Sequence, residues 1–363
     1  MSDLSIPETM AAVLLTGHGG YDKLDYRTDV QTPSPGPGEV LIRVGAAGVN
    51  NTDINTRIGW YAKTVTEGTD AGGGAGFGAA GEDGGWSGSL SFPRIQGADC
   101  AGRIVAVGDG VDPARIGARV LARAMHRDRT TDRPMACATM GSEHDGAFAQ
   151  YVVVHGEDAL QVDCDWTDVE LASLPCASST AEGMLDRAGV GAERVLITGA
   201  SGGVGSAAIQ LAKRRGAEVI AVAGAAKVEA VVALGADRVV DRAADLVTAV
   251  GAEAVDVVLD LVAGPGFDDL LAVLRVGGRY VTSGAIAGPI VELDVRTLYL
   301  KDLTFHGSTF QPDHVFEHLV RYVEAGEIRP VVAGTYPLSE IVAAQEAFLA
   351  KDHVGKLVLV PPS

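Results

Sequence analysis

The sequence has few cysteines, little positive charge and no long apolar run, and each absence excludes a class of protein. Four cysteines, with no Cys-x-x-Cys pair, are scattered over 363 residues, so neither a disulfide framework nor a structural zinc cluster is indicated. The 29 Lys and Arg residues stand against 47 Asp and Glu residues, which gives a net charge of −18. That charge argues against binding to nucleic acid or to an anionic membrane.

No apolar stretch reaches the roughly 18 residues that a membrane span requires. The opening residues, MSDLSIPETM, have no basic region before an apolar core, as a secretory signal would have. A hydrophobic content of 47% with a charged content of 21% is typical of a globular enzyme. We therefore predict a cytoplasmic protein of about two domains, with a small-molecule substrate and neither nucleic acid nor membrane as a partner.

The strongest positive signal lies in residues 195–224. An apolar run at 195–197 leads into a glycine-rich turn, a helix-patterned segment and a second apolar run at 219–222. This is the order of a βαβ unit, which holds a dinucleotide pyrophosphate at a helix N-terminus. Gly202 would let the backbone approach the pyrophosphate, and Gly205 would let the helix pack closely on the strand. The turn residues expected at the cofactor are Ala200, Ser201, Gly202, Gly203, Val204 and Gly205.

The patterning differs on the two sides of this unit. Up to about residue 167 the chain reads as β-rich, without a strong helix pattern; the strand patterns lie at 10–15, 39–46, 102–107, 119–122 and 149–154. A helical pattern spans 167–188, and strand and helix patterns then alternate to about residue 300. This alternation predicts an α/β fold with a doubly wound parallel sheet. A strand pattern at 303–305, a helix at 312–325 and a strand at 356–360 complete the chain.

Residues 62–92 are rich in glycine and carry almost no periodicity, so we expect a mobile loop. Two interpretations stay open. The segment is either a tolerated surface insertion or a lid over the active site, which its position directly after Tyr61 favours.

Five short motifs stand in a fixed order along the chain. They are Pro35-Gly36-Pro37-Gly38-Glu39-Val40, Gly48-Val49-Asn50, Gly97-Ala98-Asp99, Asp145-Gly146-Ala147-Phe148-Ala149 and the glycine-rich turn. Together they resemble the medium-chain dehydrogenase/reductase superfamily over residues 10–360, and within it the quinone-oxidoreductase and enoyl-reductase branch. The resemblance implies a GroES-like β-rich catalytic domain at 1–160 and 308–363, and a Rossmann domain at 161–307. It also implies a homodimer with an edge at 298–310.

The zinc alcohol dehydrogenases of this superfamily allow a chemical check on the branch. The resemblance implies that their catalytic metal ligands would fall at Asn50, Ala98 and Cys176 here. Only Cys176 matches a ligand, and a catalytic zinc site needs three protein ligands. The four-cysteine structural zinc lobe of those enzymes is also missing. We therefore predict that the protein holds no metal, and that Cys176 is a small buried apolar residue or, alternatively, a redox group.

The end of the second strand of the βαβ unit selects between NADH and NADPH. An acid there would bind the ribose 2′-hydroxyl and repel a 2′-phosphate, and residues 219–228 contain no acid. Gly224 leaves room, while Lys227 and Arg242 would bind a phosphate through charge-assisted hydrogen bonds. Each of these two cations has the alternative of being a solvated surface charge. The prediction is NADPH.

The resemblance adds two residues near the cofactor. Thr180 matches a threonine near the nicotinamide, with helix capping as its alternative role. Lys356 matches a lysine of the closing strand that approaches the cofactor phosphates, with a surface lysine as its alternative.

Without a metal, side-chain donors must stabilise or protonate the charge that develops on the hydride acceptor. Residues 49–61 resemble the segment that carries the proton-donating tyrosine of enoyl-thioester reductases, and Tyr61 falls at the matching position. A phenol stays protonated at neutral pH; alternatively, Tyr61 only lines the pocket. Asn50 would donate to the substrate carbonyl or hold a turn, and Asp53 and Arg57 would form an ion pair.

These observations predict an NADPH-dependent, zinc-independent reductase of quinones or α,β-unsaturated carbonyl compounds. One alternative is a carbonyl or alcohol dehydrogenase activity without zinc. The other is a non-catalytic NADPH-binding protein.

Overall fold

The computed structural model describes residues 6–78, 83–129 and 131–363. The strands of the β-rich half are β1 (Thr9–Leu15), β2 (Leu24–Gln31), β3 (Glu39–Gly48), β4 (Arg94–Ile95), β5 (Cys100–Val107), β6 (Arg119–Ala122), β7 (Met125–Arg127), β8 (Cys137–Thr139), β9 (Tyr151–His155) and β10 (Ala159–Gln161). The later strands are β11 (Arg194–Ile197), β12 (Glu218–Ala223), β13 (Arg238–Asp241), β14 (Val255–Asp260), β15 (Leu274–Thr282), β16 (Thr304–Gly307), β17 (Val332–Pro337) and β18 (Lys356–Val360).

The helices are short, and within the described residues none of them is long and apolar enough to cross a membrane. They are α1 (Asn51–Ile58), α2 (Thr69–Gly72), α3 (Asp168–Leu171), α4 (Pro175–Arg187), α5 (Gly203–Arg214), α6 (Val228–Ala233), α7 (Leu246–Val250), α8 (Phe267–Val273), α9 (Val295–Leu300), α10 (Asp313–Glu324) and α11 (Ile341–Ala350).

A six-stranded sheet with the order β13-β12-β11-β14-β15-β16 forms the nucleotide-binding half. Every neighbouring pair in it is parallel, which confirms the predicted doubly wound sheet. The strand order reverses between β11 and β14. In open α/β sheets this switch point opens the crevice in which a ligand binds, at the carboxyl ends of the strands.

The β-rich half is built around β3, which pairs with β5, β9 and β18. The last strand of the chain, β18, lies antiparallel to the end of β3, with Val358 opposite Gly48. This pairing brings residue 356 beside the segment in which β3 ends and α1 begins. One apolar cluster joins the two halves, because Ala46 and Leu121 of the β-rich sheet pack in the same core as Ile197 and Leu211.

The structure corrects three sequence predictions of secondary structure. The β-rich half is not free of helix, because α1 and α2 lie within it; α1 buries polar residues such as Asn55 and Arg57, so it has no apolar periodicity. The helical pattern at 167–188 is two helices, since Pro175 occupies the first turn of α4, where proline is favoured. The sequence patterns also missed several elements, among them the strands β2 and β17 and the helix α11. The domain boundaries at 160/161 and 307/308 stay predictions.

Candidate active site

The glycine-rich turn connects β11 to α5 at the switch point. Gly199 has a φ of +58°, a left-handed conformation that favours glycine. A Cβ added to Gly205 would overlap the Gly199 carbonyl oxygen and lie 2.6 Å from the Ala200 Cα, so the helix packs on the strand only because residue 205 is glycine. A Cβ added to Gly202 would have only the Gly199 oxygen near it, at 3.5 Å. The turn is therefore tight on the inside and open on the outside.

The residues at this turn fit a dinucleotide. The first N–H groups of a helix have no intrahelical partner and favour an anion, and Gly202 at the N-cap of α5 offers no side chain to bind them. The hydroxyl of Ser201 has no intramolecular partner among the described residues, and neither has that of Thr180. Thr180 is half-buried and is the sixth residue of α4. It does not cap this helix, so the capping alternative is wrong.

Two positively charged side chains lie together near the end of β12. The Lys227 ammonium donates to the Lys351 carbonyl, and the Arg242 guanidinium lies beside Gly224, about 4 Å from where a Cβ would stand. Burial, and secondarily the Arg242 charge, lower the pKa of Lys227. Lys227 and Arg242, predicted from positions 15 residues apart in sequence, thus lie together at the place expected for a 2′-phosphate.

Asn50 lies in a closed hydrogen-bond network. Its amide nitrogen donates to Asp99 Oδ2 at 2.8 Å and to the Gly48 carbonyl at 3.3 Å, while its amide oxygen accepts from the Lys356 ammonium. Asp99 also accepts from the Cys176 backbone N–H at 2.5 Å. Both amide hydrogens of Asn50 are therefore engaged, and a substrate carbonyl would have to displace one of these acceptors.

Lys356 is buried in the same network. Its stem crosses Gly203, where an added Cβ would lie 2.7 Å from its Cδ, and its Nζ lies 2.8 Å from Asp99 Oδ2. The backbone N–H of Gly355, the preceding residue, donates to the Ser201 carbonyl at 3.0 Å. The closing strand therefore docks on the cofactor turn, with the ammonium directed at Asp99, and the surface-lysine alternative is wrong.

Tyr61 is half-buried beside the end of α1. Its hydroxyl lies 2.9 Å from the Thr52 hydroxyl, and either group could be the donor. Burial raises the pKa of Tyr61 to about 12, against the lowering effect of hydrogen bonds from Thr52 and Asn55. The phenol is therefore fully protonated at neutral pH and has a hydroxyl partner from which its proton can be replaced.

Asp53 and Arg57 do not form the predicted ion pair. The Asp53 carboxylate turns to the start of α1 and accepts from the Asn50 backbone N–H at 2.7 Å; its burial raises its pKa to about 7. Arg57 points the other way and donates to Gln345 Oε1 at 2.7 Å and to the Gly73 carbonyl at 2.6 Å. The capping requirement of α1 overrides the attraction between side chains four residues apart, which is weak.

The part of the glycine-rich segment that the structure describes after Tyr61 touches both halves of the molecule. The Thr69 N–H donates to the Ile286 carbonyl, just beyond β15, at 3.1 Å, and a Cβ on Gly68 would lie 2.6 Å from that oxygen. Asp70 forms an ion pair with Lys351 at 2.5 Å. Residues 79–82 of the predicted loop lie outside the described residues.

Sequence reasoning missed Asp99, Thr52 and Lys351 as residues of this site. Asp99 carried a signal, because it ends one of the five motifs, and Thr52 lies in the segment that led to Tyr61. Lys351 had none, since only the end of α11 places it beside Lys227. Cys176 is half-buried rather than fully buried. Burial and the Asp99 charge raise the pKa of its thiol well above the usual range, which disfavours the thiolate that a redox role needs.

Two family models match the chain. One, the alcohol dehydrogenase GroES-like domain, covers residues 36–163, and the other, described as zinc-binding dehydrogenase, covers residues 203–325. Among known proteins, the chain is 31% identical to acryloyl-coenzyme A reductase of Metallosphaera sedula, over 96% of this chain and 99% of that protein.

Two solved structures are similar over almost the whole chain. A protein of Sinorhizobium meliloti 1021 that carries an alcohol dehydrogenase name superposes with a TM-score of 0.88 at 51% identity, covering 98% of each chain. The 2-octenoyl-CoA carboxylase reductase CinF, solved with NADP and 2-octenoyl-CoA, superposes with a TM-score of 0.82 at 26% identity. That match covers 98% of this chain and 88% of CinF.

Proposed function

The chain belongs to the medium-chain dehydrogenase/reductase superfamily, and we propose that it is an NADPH-dependent, zinc-independent reductase of α,β-unsaturated carbonyl compounds or quinones. It is an oxidoreductase of this superfamily, whose members bind a nicotinamide cofactor, as CinF binds NADP. The names of two similar proteins contain an α,β-unsaturated thioester, acryloyl-CoA and 2-octenoyl-CoA. These relatives support an α,β-unsaturated carbonyl compound as the substrate class.

The observation that carries this proposal is the hydroxyl pair of Tyr61 and Thr52. When bound, the cofactor supplies a hydride, which adds to the β-carbon of the substrate. Tyr61, protonated at neutral pH, donates a proton to the resulting enolate, and the partly exposed Thr52 hydroxyl relays a proton from solvent to the phenolate. Because Asn50 is fully hydrogen-bonded within the protein, we assign proton donation to Tyr61. Asn50 then has the role of holding Asp99 and Lys356 in place.

We propose a zinc-independent enzyme because of the side chains at the three positions where zinc ligands would be expected. Ala98 has no donor atom and the Asn50 oxygen accepts from Lys356, so Cys176 is the one matching ligand of the three. Zinc binds thiolate, imidazole or carboxylate ligands, and among the described residues no group of three His, Cys, Asp or Glu is arranged to hold a metal. The residues present do not fit a catalytic zinc ion.

The preference for NADPH is supported by Lys227, Arg242 and the acid-free end of β12. A 2′-phosphate there would replace the Lys351 carbonyl as the partner of the Lys227 ammonium and would gain a second cation. A charge-assisted hydrogen bond is about twice as strong as a neutral one, so the phosphate is the better partner.

The test is NADPH oxidation by the purified protein with acryloyl-CoA, simple enones, quinones and simple ketones. We expect turnover with an enone or a quinone that is retained in EDTA. Turnover with ketones alone would support the carbonyl dehydrogenase alternative, and tight NADPH binding without turnover on any compound would support the non-catalytic alternative. Activity that is lost in EDTA and returns with zinc would overturn the zinc-independent proposal.

Replacing Tyr61 by phenylalanine tests the proton donor directly. We expect kcat to fall by about 100-fold or more, the usual contribution of a general acid, with the Kd of NADPH unchanged. Tyr26→Phe on β2 is the matched control and should retain full activity. Full activity of Tyr61→Phe would leave Tyr61 as a residue that only lines the pocket.

Two further parts of the proposal concern the segment after Tyr61 and the assembly. The contact of Thr69 with Ile286 of the nucleotide-binding half, and the ion pair of Asp70 with Lys351 beside Lys227, support a lid at the cofactor crevice rather than a surface insertion. The edge strand β16 lies next to exposed apolar side chains, among them Tyr299 and Leu300 of α9, which supports a homodimer. Light scattering should give twice the chain mass of 37.3 kDa. Cell fractionation tests the cytoplasmic location.

A further inference from the structure

One side chain, Lys356, lies among the residues at or next to the positions where zinc-dependent relatives would hold their metal. Its Nζ lies 2.7 Å from the Val49 carbonyl and 2.8 Å from Asp99 Oδ2, and it also donates to the amide oxygen of Asn50. Asn50 occupies the first ligand position and Asp99 directly follows the second, Ala98. An ammonium has three N–H donors, and each of these three acceptors takes one.

The surroundings of this ammonium are closed to solvent. Lys356 is 4% exposed and Asp99 is fully buried. Asp99 also binds the backbone N–H of Cys176, the third ligand position, at 2.5 Å. The ammonium therefore lies against Asn50 and Asp99, and Asp99 connects it to Cys176.

Burying a charged pair is costly unless its geometry satisfies every donor and acceptor. Here the ammonium uses all of its hydrogens, and Asp99 accepts from three groups on three different elements, which are Asn50, Lys356 and Cys176. A side chain needed only for packing would not require a cation at this place.

We propose that the Lys356 ammonium stands in place of the catalytic zinc ion, so that it excludes a metal and fixes Asn50 and Asp99 by charge. This inference rests on the zinc-independent part of the proposed function. It makes Lys356 a positioning residue of the reaction, which differs from the sequence prediction that Lys356 approaches the cofactor phosphates.

The first test measures zinc binding, without reference to activity. The variant Asn50→Cys/Ala98→His restores the missing ligands beside Cys176, and a triple variant adds Lys356→Met, which removes the charge and keeps the length of the side chain. Zinc alone is titrated into both proteins against a chromophoric chelator. We expect the triple variant to bind one zinc ion at least 100-fold more tightly than the double variant. Equal zinc affinities would overturn the proposal.

The second test uses the otherwise unchanged protein and applies even if the triple variant fails to fold. Lys356→Met should lower kcat at saturating NADPH by at least 10-fold while the Kd of NADPH, measured by fluorescence, stays within threefold. Lys356→Arg, which keeps the charge, should retain most of the kcat that Lys356→Met loses. A weakened Kd of NADPH with kcat unchanged would assign Lys356 to the cofactor phosphates and overturn the proposal.

Lys301 provides a matched control, because it is also largely shielded and donates to the Leu271 carbonyl at 2.9 Å, far from the site. Lys301→Met should change neither kcat nor zinc binding. If no substrate is reduced at all, the proposed function fails, whereas the zinc titration still decides whether Lys356 holds the metal position.

Discussion

Replacing Asp53 by asparagine should remove a pH dependence from the stability of the folded protein. The carboxyl group is 2% exposed, and its burial raises its pKa from 3.8 to about 7 in spite of the hydrogen bond from the Asn50 N–H and the nearby Lys356 charge. Between these two pH values the folded state keeps a proton that the unfolded state releases. The folded state is therefore favoured at low pH, and the advantage is lost as the pH rises through 7.

The size of the effect follows from the two pKa values. A pKa difference of this extent corresponds to about 4 kcal/mol over the whole window, and to about 3 kcal/mol between pH 5 and pH 8. Asparagine keeps an oxygen that can accept from the Asn50 N–H but does not titrate. From pH 5 to pH 8, the wild-type protein should therefore lose about 3 kcal/mol of stability relative to the Asp53→Asn variant.

The assay is urea unfolding of both proteins at pH 5 and pH 8, with the exposed Asp25→Asn on β2 as the control. If the difference in unfolding free energy between wild type and Asp53→Asn is the same at both pH values, the Asp53 carboxyl group is ionised in the folded protein. The protonated state inferred here from its burial would then be wrong.

Three other predictions address the cofactor end, the lid and the core. Lys227→Ala should lower kcat/KM for NADPH by about 10-fold and leave that for NADH unchanged, because only NADPH carries the 2′-phosphate; an unchanged preference would contradict the assignment. Asp70→Asn, with the exposed Asp29→Asn as control, should speed protease cleavage within 62–78 while changing stability by less than about 1 kcal/mol. Equal cleavage rates would show that the Asp70–Lys351 ion pair does not hold this segment in place. Arg57→Met should destabilise the protein by about 3 kcal/mol, since it leaves buried acceptors without a donor. Thermal melts compare it with the exposed control Arg296→Met, and equal melting temperatures of the two variants would contradict the prediction.

The site combines two rigid parts that meet through β18. The glycine-rich turn after β11 is fixed by the close packing of its glycines in the parallel sheet. The segment that carries Asn50, Thr52 and Tyr61 is fixed by the cap of α1, in the β-rich half. The Gly355 N–H and the Lys356 side chain connect them, since one binds the turn and the other binds Asn50 and Asp99. One strand therefore contacts both the glycine-rich turn and the Asn50–Asp99 network, and changes in β18 should affect both parts.

Local sequence determined those features that depend on neighbouring residues. The βαβ unit could be predicted because its apolar runs, its glycine turn and its helix are contiguous, and the roles of Gly202 and Gly205 follow from the turn alone. The missing zinc ligands at Asn50 and Ala98, and the acid-free end of β12, could likewise be read from single positions. The helix α1 could not, because a helix that buries Asp53, Asn55 and Arg57 has no apolar periodicity.

Only the tertiary structure decided which distant groups become partners. The sequence placed Arg57 with Asp53, whereas folding brings Gln345 and Gly73 to Arg57 and leaves Asp53 to cap its own helix. The resemblance implies that Lys356 approaches the cofactor phosphates, and the pairing of β18 with β3 brings its ammonium to Asp99, more than 250 residues away in the chain. A buried charge takes the partner that the fold provides, and no local pattern records a contact across that separation.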